Sequence, residues 1–245
     1  IFALERNNFM KTVIIIPARW KSSRFPGKPL AKINKKELLL HVWEKAKKVR
    51  QIHRVIIATD NRKILNFCLN NNLEVILTSR LCKTGTDRVY EVSKKINSDI
   101  YVNLQGDEPL INPRNVEKII LNLKKNISKG FEVSTGYSFT NKKQNKNNSN
   151  VYMIKSKNNE VMYVSRKELP FTKEKKTFFL KHIGVFAFTK KSLSLFSKFK
   201  IKFLEKKENI ELLRFLENNI KVSVVQINEI GLAVDYKSDI KQIEN

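Results

Sequence analysis

Val13-Ile-Ile-Ile-Pro-Ala-Arg-Trp-Lys-Ser-Ser-Arg-Phe-Pro-Gly-Lys-Pro-Leu30 passes from a run of apolar residues into a loop dense in cations. Val13–Ile16 is continuous and β-branched, the pattern of a strand buried on both faces. Beyond the loop, Leu38, Leu39, Val42, Trp43 and Ala46 recur at helical spacing. The loop therefore joins a strand to a helix at the strand's carboxyl end. It carries Arg19, Lys21, Arg24 and Lys28. Arg offers a fixed fork of N–H donors, and Lys a compact point charge. Pro26 and Pro29 stiffen the backbone, and Gly27 lets it turn tightly. A stiff loop of convergent cations suits a polyphosphate, although charge alone fits a solvated loop in a Lys-rich chain equally well.

The strand-then-helix pattern repeats downstream. Arg54–Ala58, Glu74–Leu77 and Ile100–Leu104 read as further strands. Helices are expected over Lys36–Val49, from a cap at Thr59-Asp60 to Asn70, from Lys83-Thr-Gly-Thr-Asp-Arg88 to Ile96, and over Pro113–Lys125. This alternation predicts an α/β fold with a doubly wound, mostly parallel, Rossmann-like sheet, whose ligands bind beyond the carboxyl ends of the strands. Arg19 to Lys28, Thr59-Asp60, Thr84 to Arg88 and Gln105 to Glu108 all fall at that edge. After Ser128 the pattern changes. Glu132–Phe139, Val151–Lys155, Val161–Ser165 and Leu180–Phe188 read as strands without intervening helices, a β-rich antiparallel insertion or flank. Residues 141–150 form a polar loop. A helix over Leu204–Asn218, with Glu205, Glu208 and Glu211 at three-residue spacing, precedes a strand over Lys221–Gln226, then Gly231, Val234-Asp235 and a short closing helix. Residues 1–9 read as a frayed N-terminal extension before a natural start at Met10-Lys11. Residues 10–245 read as one domain, with halves at 10–127 and 128–245.

Composition narrows the function. With 41% hydrophobic residues in 245, the chain can bury a core. No apolar run approaches the roughly 18 residues of a membrane span, and residues 1–9 lack the features of a secretory signal, so no membrane insertion is expected. Two cysteines without metal-ligand spacing fit a reducing cytoplasm. The net charge of +25 comes from Lys spread along the chain, without an Arg-rich, aromatic-interleaved stripe. It reads as a solvated surface, not a nucleic-acid face. Glycine is scarce, seven residues against a usual ~7%, so Gly27, Gly85 and Gly106 mark loops where the backbone demands it.

Asp107, between Gly106 and Glu108-Pro109 after a strand, can hold Mg²⁺, which takes one or two protein carboxylates and fills its shell with phosphate oxygens and water. Asp235 can supply the second carboxylate, and either residue can equally cap a turn. No G-x-S-x-G, P-loop or H-E-x-x-H occurs, and His41 and His53 read as structural. Cations at one strand end and carboxylates at another imply a nucleoside triphosphate with Mg²⁺, and catalysis by positioning and charge neutralisation.

The motifs resemble, in order, those of the 3-deoxy-manno-octulosonate (Kdo) cytidylyltransferase family. They are Ala18-Arg19 with Ser23-Arg-Phe-Pro-Gly-Lys-Pro-Leu30, Ala58-Thr-Asp60, Thr84-Gly-Thr-Asp-Arg88, Asn103-Leu-Gln-Gly-Asp-Glu-Pro109, Ser165-Arg166, His182-Ile-Gly184, the Glu205/Glu208/Glu211/Arg214 helix and Val234-Asp235. The resemblance runs from Met10 to the C-terminus. It implies a nucleotidyltransferase-type fold and the transfer of CMP from CTP to a sugar acid, with release of pyrophosphate, for lipopolysaccharide synthesis. It implies catalytic roles for Arg19, Lys28 and Asp107. Ala18, Arg19, Arg24, Lys28, Gly85, Thr86, Arg88 and Gln105 would bind the nucleotide, Gln105, Arg166, His182 and Glu211 the sugar, and Asp107 and Asp235 Mg²⁺. It further implies a cytoplasmic homodimer paired through the β-rich half. Tyr-Lys-Ser-Asp after Asp235, Leu212 and Tyr152 depart from the family's usual residues, and leave Kdo and its 8-amino analogue both open as substrates. A nonulosonic acid as substrate, and a basic nucleic-acid-binding protein, are the competing readings.

Overall fold

The structure, a computed structural model, describes residues 10–22, 24–141, 150–174, 177–228 and 231–244. The chain divides into two compact units, residues 1–117 with 231–245, and residues 118–230. The sequence reading places the boundary between halves at 127/128. The segment carrying Val234-Asp235 belongs with the first unit because Val234 packs against Ile33 and Leu38 there. The expected N-terminal extension at 1–9 and most of the polar loop at 141–150 lie outside the described residues.

The first unit begins with β1 (Thr12–Ala18), a short antiparallel hairpin of β2 (Lys32–Ile33) and β3 (Lys36–Glu37), and α1 (Leu38–Lys47). It continues with β4 (Arg54–Thr59), α2 (Arg62–Asn70), β5 (Val75–Leu77), α3 (Gly85–Lys95), β6 (Ile100–Asn103) and the start of α4 (Pro113–Asn126). β1 pairs in parallel with β4 on one side and β6 on the other, and β4 pairs in parallel with β5. Ile14, Ile15 and Ile16 are fully buried, as a central parallel strand requires. The order β6-β1-β4-β5 reverses at β1, since the chain runs outward through β4 and β5 and returns on β1's other side. Such a reversal opens a crevice beyond the carboxyl ends of the two strands that flank it. Here Gly106 makes the close approach possible, because a Cβ would come 2.8 Å from the Pro17 carbonyl oxygen.

Local details refine the reading of the sequence. Asn61, and not Thr59-Asp60, caps α2, its side chain accepting from Lys63 N at 2.8 Å while Thr59 Oγ1 accepts from Asn61 N. The β2–β3 hairpin turns through Asn34 and Lys35 at φ 49° and 66°, a left-handed pair that suits a two-residue hairpin. His41 and His53 are structural as expected: His41 Nε2 meets Ile33 O, and His53 Nδ1 accepts from Thr12 N.

The second unit holds β7 (Val133–Asn141), β8 (Tyr152–Lys155), β9 (Val161–Ser165), β10 (Phe178–Thr189), α5 (Lys190–Lys198), α6 (Phe203–Glu208), α7 (Leu212–Leu216) and β11 (Val222–Gln226). β7 to β10, β10 to β8, and β8 to β9 are antiparallel, but β11 joins β7 in parallel. α5 was not anticipated; Thr189 caps it through Ser192 N. The single helix expected over Leu204–Asn218 is broken at Asn209, whose φ of 53° ends α6. Its glutamates consequently diverge. Glu205 turns inward to a bidentate pair with Arg214, at 2.7 and 2.6 Å, both side chains about 5% exposed. The Arg214 guanidinium also lies 3.7 Å over the Phe196 ring, which packs against Phe215. His182 on β10 is buried, its Nε2 2.9 Å from Thr135 Oγ1 on β7, and burial pushes its pKa down to about 3.

Two outcomes are expected. Arg214→Ala, which leaves Glu205 buried without its guanidinium, should cost about 3–5 kcal/mol of stability by urea unfolding, and a loss below about 1 kcal/mol would show the pair to be replaceable. His182 stays neutral in the folded chain to about pH 3, whereas an unfolded imidazole protonates near ~6.5. Below that pH the unfolded state binds the extra proton, so stability falls as pH falls, by at most about 1.4 kcal/mol per unit. Between pH 6.5 and 5, His182→Gln should flatten this limb; an unaltered slope would show that His182 does not generate it.

Candidate active site

The site of the first unit is assembled from four segments at the carboxyl edge of its sheet. Ala18 ends β1, buried, and Arg19 follows it, exposed. The loop then closes on itself, as Trp20 O accepts from Gly27 N at 3.0 Å and Gly27 takes φ 73° with the Trp20 ring against it. This turn carries Lys28 inward. Lys28 Nζ donates to Asp107 Oδ2 at 2.7 Å and to the Val234 carbonyl at 2.8 Å. Val234 N donates in turn to Asp107 O at 2.9 Å, so the segments bearing Asp107 and Asp235 are hydrogen-bonded neighbours. Arg24 Nη2 meets Asp235 Oδ1 at 2.7 Å, with its guanidinium 5.3 Å over the Tyr236 ring. Burial works against the Arg24 charge, but hydrogen bonding to Tyr236 and the nearby Asp235 and Asp107 carboxylates outweigh it and raise its pKa.

Cations and carboxylates of the two expected roles thus stand paired with one another. The donor set fits Mg²⁺. Two carboxylates from adjoining segments are the number Mg²⁺ takes when phosphates and water complete its shell. Among the described residues no group of three or more His, Cys, Asp or Glu forms an all-protein cage.

A second cluster lies at the ends of β4 and β5. Thr84 and Asp87 form a reciprocal capping box at the start of α3. Gly85 sits where a Cβ would crowd the Asn103 amide at 3.3 Å, and Thr86 is buried within hydrogen-bond reach of Asn103 Nδ2. Arg88 is buried and fixed by Thr78 Oγ1 and by Asp60 Oδ2 at 3.1 Å. Arg88 thereby ties β4, β5 and α3 together. Gln105 is half-buried in the loop that follows β6.

In the second unit, Glu208 at the end of α6 accepts from Ser165 Oγ at 2.7 Å and from Arg166 N at 3.0 Å. Arg166 donates to the Glu208 and Asn209 carbonyls through Nε and Nη2. Glu211 occupies the residue just before α7, half-buried. His182 lies apart from this cluster, on β10 against Thr135. Sequence reasoning missed Tyr236 and Glu208 as partners of Arg24 and Arg166.

Comparison with known proteins agrees with this geometry. The profile of a family described as cytidylyltransferase matches residues 13–224. An 8-amino-3,8-dideoxy-manno-octulosonate cytidylyltransferase of Shewanella sp. (strain W3-18-1) is 35% identical over 240 residues, 96% of this chain and 98% of the relative. The protein of that description from Shewanella baltica (strain OS155) is 34% identical over the same shares. A solved CMP:2-keto-3-deoxy-manno-octonic acid synthetase, complexed with CTP, is similar at TM-score 0.89 and 32% identity, covering 96% of this chain and 97% of that one. A Leptospira borgpetersenii cytidylyltransferase at 18% identity and TM-score 0.64 shares the fold. With the reversal of strand order at β1 and the cation loop beside it, the profile match and these relatives show that the chain belongs to the cytidylyltransferase family, as a nucleotidyltransferase of the Kdo type.

Proposed function

We propose that this chain transfers CMP from CTP to the anomeric hydroxyl of 3-deoxy-manno-octulosonate, releasing pyrophosphate. The observation that carries the reading is the convergence of Arg24, Lys28, Asp107 and Asp235 at the ends of β1 and β6. Arg19, Arg24 and Lys28 grip the triphosphate. Lys28 and Arg24, each already 2.7 Å from a carboxylate, exchange that partner for phosphate oxygens when the nucleotide enters. Asp107 and Asp235 would hold Mg²⁺, which would supply charge neutralisation for in-line displacement at the α-phosphorus. Gly85 and Thr86 at the start of α3, with Ala18 and Gln105, shape the cytidine side, and Arg88 acts there by holding the α3 start against Asp60 and Thr78.

Within the second unit, Arg166 recognises the sugar carboxylate. Its guanidinium is aimed by the carbonyls of Glu208 and Asn209, and a planar fork selects a carboxylate where a lysine would not. The relatives' names favour the 8-amino sugar as a second reading of the same reaction. We also propose a homodimer through β7 and β10, supported by the exposed Phe139 and Phe178, whose rings meet edge-to-face at 6.5 Å. A cytoplasmic setting, supported by the unbridged Cys68 and Cys82, would supply CTP, and the product would serve lipopolysaccharide assembly.

Pyrophosphate release from CTP and Mg²⁺, with Kdo, 8-amino-Kdo and N-acetylneuraminate offered in parallel, tests the reading. Turnover is expected with Kdo, and turnover with N-acetylneuraminate alone would refute the sugar assignment. Lys28→Ala should lower kcat/KM by roughly 2–4 kcal/mol of transition-state stabilisation, the scale of one preorganised donor. Full activity in that variant would remove Lys28 from the phosphate site. Asp107→Asn should raise the Mg²⁺ concentration needed for half-maximal rate, whereas an unchanged titration would leave Asp107 a turn residue.

A further inference from the structure

Val234-Asp-Tyr-Lys-Ser-Asp239 leaves the candidate site and enters α8 (Lys237–Glu244). An aspartate in the first turn of a helix commonly reaches back to the N–H of the capping residue. Asp239 does this and goes one residue further. Its Oδ2 accepts from Tyr236 N at 2.7 Å and also from Asp235 N at 2.7 Å, while its own N–H donates to Tyr236 O. The Asp239 side chain is buried, at 7% residue exposure. The two N–H groups it holds belong to the two residues that face Arg24, with Asp235 through its carboxylate and Tyr236 through its ring. One buried oxygen therefore sets the backbone from which both side chains project.

The support beneath Asp239 is itself fixed. Ile240 and Ile243, on the same helix, pack with Phe25 against Ile33, Leu38 and Val234. Farther along, Glu244 accepts from the Asn34 amide at 2.8 Å, tying the end of α8 to the β2–β3 turn. α8 is thus docked on the element that follows the cation loop, and Asp239 is the contact through which the docked helix holds the segment bearing Asp235. A helix cap alone needs only the bond to Tyr236 N. The bond to Asp235 N serves the residue that precedes the cap.

We propose that Asp239 is a positioning residue for the metal site, holding the Asp235 carboxylate in its ligating direction before nucleotide and metal arrive. The inference rests on the reading of Asp235 as a ligand of Mg²⁺. Groups that orient a ligand without touching the metal typically change affinity by about 10–100-fold when removed.

The probe is Mn²⁺ in place of Mg²⁺, its binding to the enzyme–CTP complex followed by electron paramagnetic resonance without sugar, so that no turnover occurs. Asp239→Ala should bind Mn²⁺ at least about tenfold more weakly. Asp239→Asn keeps an acceptor oxygen in place and should restore affinity to near that of the parent. Asp239→Glu keeps the charge but moves the oxygen by one methylene, and should bind measurably more weakly; it decides the matter if the alanine variant does not fold. In the metal-free protein, amide exchange at Asp235 and Tyr236 should accelerate in Asp239→Ala. Parent affinity in both the alanine and glutamate variants, with Tm lowered, would reduce Asp239 to a helix cap and overturn the proposal. Asparagine as weak as alanine would overturn it too, by making charge the operative property. Asp235→Asn separates the two failures: unchanged Mn²⁺ binding there removes Asp235 as a ligand, whereas weakened binding there with parent affinity in the Asp239 variants defeats the positioning role alone.

Discussion

One ammonium group organises the first unit. Lys28 Nζ reaches a carboxylate from the loop after β6 and a carbonyl from the segment before α8, two pieces of chain more than a hundred residues apart. The Lys28 side chain is only 14% exposed and Asp107 only 28%, so neither charge is left to bulk water. A partly buried charge must be compensated nearby, and a compact ammonium with three donors can satisfy a carboxylate and a carbonyl at once. Arg24 repeats the arrangement with Asp235 a short distance along the same loop. These charges neutralise each other, which lets a cationic loop lie against the sheet edge without repelling itself apart. The same pairing fixes the direction of both carboxylates.

The parallel sheet was legible because β1, β4 and β6 are short runs rich in Val and Ile and buried on both faces, between helices with ordinary apolar stripes. Thr84 and Asp87 announced α3 through a capping pair that acts within four residues. Where local signals competed with tertiary ones, the reading failed. Residues 204–218 carry good helix formers throughout, but Asn209 accepts a left-handed backbone at small cost, and breaking there allows Arg214 to turn back onto Glu205. The β2–β3 hairpin is two residues per strand, too short for periodicity to register. α5 follows directly on the long strand β10, where a continuous apolar pattern concealed the change of period.

The polar clusters were visible as motifs, but their wiring was not. Sequence places Arg24 and Asp235 at opposite ends of the chain, and nothing local says that they touch. Arg88 stands in a nucleotide-like motif, while its guanidinium is used on Thr78 and Asp60, where it ties the ends of β4 and β5 to α3. Arg166 was readable as a rare arginine at a strand end. That Glu208 holds its backbone and two carbonyls hold its guanidinium depends on the break after α6, the feature the periodicity had hidden.

The return of residues 231–245 to the first unit has a bearing on how the chain acquires its structure during synthesis. Residues 118–230 are contiguous and leave the ribosome as a complete folding unit. The first unit is split around them. Its early strands emerge first, but α1 waits for the apolar face of α8, and Lys28 waits for the Val234 carbonyl, until the whole intervening unit has been made. During that interval the cation loop is exposed without two of its anchors, and its basic residues are open to any polyanion in reach. The segment that anchors the loop is translated last, so the cation loop and its carboxylate partner Asp235 are among the last parts of the described fold to be brought together.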